Sequence, residues 1–127
     1  MSAIHSADSG VVDQSDRVFH LEVLRGGMNR LLFRSNKSET WPTRVEILFM
    51  NVNFLAIGTL LHGPVITPLG PVAEHAERVA WLLNTPDDLS LFSIRSAEGD
   101  GLIVAGSLSL DESHASASDP SSFFMMD

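Results

Sequence analysis

Between residues 18 and 110 the chain is dominated by a two-residue period. Phe19, Leu21 and Val23 alternate with Val18, His20, Glu22 and Leu24, the pattern of a β-strand with one wholly apolar face. Gly26 and Gly27 supply the positive φ angles that a reversal needs. A three-residue loop, Gly26 to Met28, sets Val23 opposite Leu31 and Leu21 opposite Phe33, keeping apolar residues together. A slip of one residue would send every side chain to the other face, so this register is the expected one. It leaves Arg30, Leu32 and Arg34 beside Glu22 and His20 on the outer face.

Residues 35–42, SNKSETWP, read as a polar connection closed by an X-Pro step that disfavours helix. From Arg44 to Val52, Val45, Ile47 and Phe49 share one face while Leu48 and Met50 lie on the other, which predicts a strand central in its sheet. Phe54 to Leu61 reads as a further strand, returning antiparallel across Asn51-Val52-Asn53. Residues 62–71 hold too many prolines for a central strand and are expected as a loop. Pro71 then opens a helix to about Asn84, with Val72, Ala76, Val79 and Leu83 as its buried stripe. Leu89 to Ser96 and Leu102 to Leu110 follow as strands, with Leu102, Val104, Leu108 and Leu110 on one face. The fold predicted is α+β: a mainly antiparallel five- or six-stranded sheet with one amphipathic helix, residues 71–84, packed on one face.

The chain's 127 residues fit one domain, with 44% hydrophobic and 19% charged positions. Residues 1–16 form an expected flexible acidic arm, 17–112 the single folded domain, and 113–127 a flexible tail with an apolar tip at Phe123, Phe124, Met125 and Met126. No apolar run is long enough to span a bilayer, and the opening residues do not read as a secretory signal, which points to a soluble, cytoplasmic protein. Without cysteine there is no disulfide framework, thiolate nucleophile or cysteine-rich zinc site. The net charge of −8 belongs to the ends: residues 17–97 carry eight basic and seven acidic side chains. Such acidic ends favour solubility and can steer a basic partner.

Specific chemical motifs are missing. Gly26-Gly27 and Gly99-Asp100-Gly101 suit hairpin turns, not phosphate cradles, and there is no G-x-S-x-G or H-E-x-x-H. His62 lies in the loop before the expected helix, and on the helical wheel His75 flanks the apolar stripe while Glu74 and Glu77 point away from it; the cluster is split, so no metal is expected, nor any cofactor. Arg30 and Arg34 lie away from inward-facing Phe33, which leaves no stacking platform for nucleic acid. His20, Arg30 and Arg34, with Glu22, form an alternative anion-binding face for a small-molecule enzyme or sensor.

Trp81, with Glu74 and Glu77, falls on the polar side of the expected helix, where a large aromatic suits an interface anchor. Leu48, Met50, Phe123 and Phe124 add apolar surface beyond what one helix covers. The leading expectation is a non-catalytic protein-interaction or self-associating domain, partnered by another protein or a second copy. Its size and sheet-plus-helix layout resemble small bacterial immunity proteins in architecture alone, which implies an immunity-like inhibitor as a narrower form of that expectation.

Overall fold

The computed structural model describes residues 3–6, 10–25, 29–75, 77 and 88–123, with backbone alone at 3–6 and 23–25. The described residues form eleven strands: β1 (Ala3–Ser6), β2 (Val12–Asp13), β3 (Val18–Arg25), β4 (Arg30–Ser35), β5 (Arg44–Met50), β6 (Phe54–Ala56), β7 (Leu60–His62), β8 (Val65–Pro71), β9 (Ser90–Ser96), β10 (Gly99–Ala105) and β11 (Ser107–Ser113). They form two antiparallel sheets, ordered β1-β11-β5-β4-β3-β7 and β2-β8-β9-β10-β6. The sheets enclose one core, with Phe19, Phe33, Ile47 and Leu108 from the first and Ile66, Phe92, Ile94 and Ile103 from the second. Phe49 and Phe92 meet edge-to-face across it, ring centroids 5.5 Å apart, the geometry that the ring quadrupole favours.

The α+β expectation is therefore corrected. A second sheet, not an amphipathic helix, covers the inner face of the first. Among the described residues the helical structure is a single 3-10 turn, Val72–His75. The rest of the 71–84 expectation falls largely on residues 76 and 78–84, outside those described. Its start fails for a local reason: Pro71 ends β8 instead of opening a helix, and the Val72 N–H bonds the Leu89 carbonyl at 2.8 Å.

Proline misdirected the reading of residues 65–71. β2 pairs only with Val65 and Ile66, so the remainder of β8 lies beyond β2's end, and the register against β9 shifts between Pro68 and Gly70. A sheet margin with a bulge is where a missing N–H is tolerated.

Two predicted single strands are each divided between the sheets. Phe54–Leu61 becomes β6, which pairs with β10, and β7, which pairs with β3; neither returns along β5. Leu102–Leu110 breaks at Gly106, leaving Leu102 and Val104 on the second sheet and Leu108 and Leu110 on the first. At Gly106 the backbone N–H bonds the Met50 carbonyl at 2.8 Å, and an added Cβ would meet Asn51 at 3.1 Å. This tight crossing carries the chain from one sheet to the other.

The β3–β4 hairpin keeps the expected pairing of Leu21 with Phe33 and of His20 with Arg34. Past Glu22 a bulge shifts the register, so Val23 faces Leu32, not Leu31. β5 is central as expected, flanked by β4 and β11.

Arg17 closes one end of the sandwich. Its Nε donates to Ser35 Oγ at 3.0 Å, Nη2 donates to the Thr43 carbonyl at 2.7 Å, and the guanidinium lies 5.3 Å from the Trp41 ring centroid. Burial lowers its pKa from the usual arginine value, while Glu112 and Asp16 act in the opposite direction.

Candidate functional site

The outer face of the first sheet carries a polar row that the strand register assembles. His20 lies opposite Arg34, Arg34 opposite Glu46, and Glu46 opposite Asp111, one residue from each of four strands. Alternation puts these side chains on the face that Val45, Ile47 and Phe33 do not use. Arg34 donates through Nε to Glu46 Oε2 at 3.0 Å and through Nη1 to Glu22 Oε1 at 3.2 Å; Glu22 Oε2 lies 2.9 Å from His20 Nε2. Arg44, on the same face of β5, places Nη2 3.5 Å from Glu46 Oε1. Arg44, Glu46 and Asp111 are all fully buried.

Residues 114–122 cover this row. Arg44 Nη1 donates to the Ser116 and Asp119 carbonyls, each at 2.9 Å, and Nη2 donates to that of Pro120 at 3.0 Å. Arg34 reaches the Ala117 carbonyl at 3.3 Å and Lys37 that of His114 at 2.8 Å. In return Glu46 Oε1 accepts from Ser121 Oγ at 2.9 Å and from the Ser122 N–H at 3.3 Å. Three cations thus hold five main-chain carbonyls, and a buried carboxylate takes a hydroxyl and an amide. The Ser116 backbone N–H and side chain hold the Asp119 carboxyl below the ordinary Asp range.

This arrangement unites the expected His20, Glu22 and Arg34 but binds them into a neutralising network. Arg30 is half-buried at the start of β4, opposite Arg25 and four residues from Arg34. Leu48 is buried, and Met50 and Phe123 are half-buried. Glu74 and Glu77 are exposed; Trp81 and Phe124 lie outside the described residues. Sequence reasoning missed Glu46, Arg44 and Asp111. For Arg44 and Glu46 the signal was available as charged positions sharing the parity of Leu48 in a strand expected to be covered on both sides; Asp111 lies on β11 and follows only from its pairing with Glu46.

The second sheet's outer face differs. Leu91, Val104, Val72 and Leu89 form a smaller apolar cluster, against which Phe54, Leu69 and Leu102 pack half-exposed. Cross-strand pairing aligns Leu91, Val104 and Phe54 in one row, Ser93, Leu102 and Ala56 in the next, and Arg95 with Asp100 in a third. An open groove of about 390 Å³ runs along the last two rows. Arg95 Nε lies 3.6 Å from Asp100 Oδ1, both side chains more than 70% exposed.

At one end of the sandwich Glu98, in the β9–β10 turn, accepts from the His62 backbone N–H at 2.8 Å and contacts the His62 imidazole, joining the two sheets. These contacts, the backbone bond foremost, lower its pKa to about 2.

Among the described residues no three His or carboxylate side chains converge on a metal position, and no helix is long and apolar enough to cross a membrane. Compared with known families, curated proteins and solved structures, the chain matches none.

Proposed function

We propose that this protein is a non-catalytic interaction domain that associates with a second copy of itself through the outer face of its second sheet. The observation carrying this reading is the half-exposed apolar strip of Phe54, Ala56 and Leu102 beside the exposed Arg95–Asp100 pair. Apolar strips rimmed by polar groups are the usual mark of a docking surface. The pair argues for a second copy as the occupant. A two-fold contact is self-complementary, so each Arg95 can face the partner's Asp100 while the strips bury each other. The alternative anion-binding reading has less support, because Arg34 already serves Glu22, Glu46 and the Ala117 carbonyl.

Sedimentation velocity from micromolar to millimolar concentration tests it. A dimer is expected that Leu102→Glu abolishes and that added salt weakens. Arg95→Asp or Asp100→Arg alone weakens it by like-charge contact, and the double reversal restores it. A monomer at every concentration, or a dimer indifferent to all these changes, overturns the proposal.

A further inference from the structure

The segment from His114 to Ser122 contributes no strand, yet it is held as a bound peptide would be. Its carbonyls at 114, 116, 117, 119 and 120 are read by Lys37, Arg44 and Arg34, and its Ser121 hydroxyl by Glu46. The recognising groups stand on β4, β5 and their connection, within a sheet whose strand pairs do not involve the segment. Main-chain recognition needs small neighbouring side chains, and Ala115, Ser116, Ala117, Ser118, Ser121 and Ser122 provide them. Releasing the segment needs a hinge only after Ser113, where β11 ends.

We propose that the outer face of the first sheet is a peptide-recognition surface, filled in cis by residues 114–122, which accepts the same segment from a second copy. The exchange conserves every bond, because an identical segment from another molecule meets the same Arg34, Arg44, Lys37 and Glu46. That makes a swapped dimer a low-cost alternative to the closed monomer, its population set by concentration and hinge strain. The proposal concerns a different sheet face from the association proposed above and is independent of it.

The probe is a synthetic peptide of residues 113–123 titrated into isotope-labelled full-length chain, read at the side-chain Nε–H signals of Arg34 and Arg44. In wild type the tethered segment competes at high effective concentration, so binding is weak. Ser121→Ala in the chain loosens the resident segment, and the native peptide is then expected to bind roughly tenfold or more tightly than to wild type. A peptide carrying that same change loses the gain. Asp119→Ala in the chain, which removes the carboxylate that accepts from the Ser116 N–H and shapes the resident segment, gives a smaller effect of the same sign with the native peptide and covers the case of a poorly folded Ser121 variant. Unmoved arginine signals at millimolar peptide in both variants, or equal shifts from a scrambled peptide, overturn the recognition surface. For the source, labelled and unlabelled full chains refolded together at millimolar concentration are expected to show filtered contacts between Arg44 of one copy and Pro120 of the other. Their absence overturns the exchange between copies.

Discussion

Replacing Glu46 by glutamine tests whether the charged row beneath residues 114–122 is dry and tightly coupled. Glu46 is fully buried. One carboxylate oxygen accepts from Arg34 Nε at 3.0 Å and pairs with Nη2 at 2.9 Å. The other accepts from Ser121 Oγ at 2.9 Å and the Ser122 N–H at 3.3 Å, with Arg44 Nη2 at 3.5 Å. Each of these partners is a donor. Glutamine keeps the shape but must turn an NH2 toward one of the two groups, leaving donors facing donors, and it removes the negative charge between two buried arginines. Breaking a buried ion pair by removing one partner costs about 3–5 kcal/mol, out of the roughly 5–15 kcal/mol typical of a domain. With a urea m-value of about 2 kcal/mol/M, the unfolding midpoint falls by about 2 M. Urea titration followed by tryptophan fluorescence and far-ultraviolet dichroism measures it, and amide exchange over residues 114–122 should quicken in the same variant. A loss below about 1 kcal/mol with an unchanged m-value would refute the reasoning, because it would mean that water already screens the row.

Phe92→Ala empties the centre of the core, where Phe92 meets Phe49, and is expected to cost about 3–5 kcal/mol in the same titration. Gly63 has φ +64° and an added Cβ would stand 2.7 Å from the Ser15 carbonyl oxygen, so Gly63→Ala should destabilise by more than about 1 kcal/mol, readable as a lowered melting temperature. Glu98 has its folded pKa lowered from 4.5 to about 2, so its contribution is present above pH 4.5 and is lost as pH falls through about 2. The stability difference between wild type and Glu98→Gln should therefore shrink over that interval; a difference independent of pH would count against the His62–Glu98 link.

Much of the first sheet was legible because its strands alternate cleanly. Phe19, Leu21, Leu31, Phe33, Val45, Ile47 and Phe49 declare one face, and β5's apolar residues on both parities declare a covered centre. The second sheet was hidden by two kinds of residue. Pro68 and Pro71 argued against β8 because sequence does not reveal that a flanking strand reaches no further than Ile66. The changes of sheet near Gly58 and at Gly106 sit inside apolar runs that read as uninterrupted strands. The polar row was half legible: His20, Glu22 and Arg34 follow from the hairpin register, but their pairing with Glu46 requires knowing that β4 lies beside β5. The cover supplied by residues 114–122 was illegible, because it is built from main-chain carbonyls that every sequence possesses.

β5, the most completely enclosed strand, has as its flanking partners β4, which precedes it, and β11, which ends at Ser113. During synthesis one of its hydrogen-bonding edges must wait for some sixty further residues to be made. Throughout that interval a greasy, half-paired ribbon is available to any neighbouring chain, so yield from the ribosome should depend more on translation rate and holding chaperones than on final thermodynamic strength.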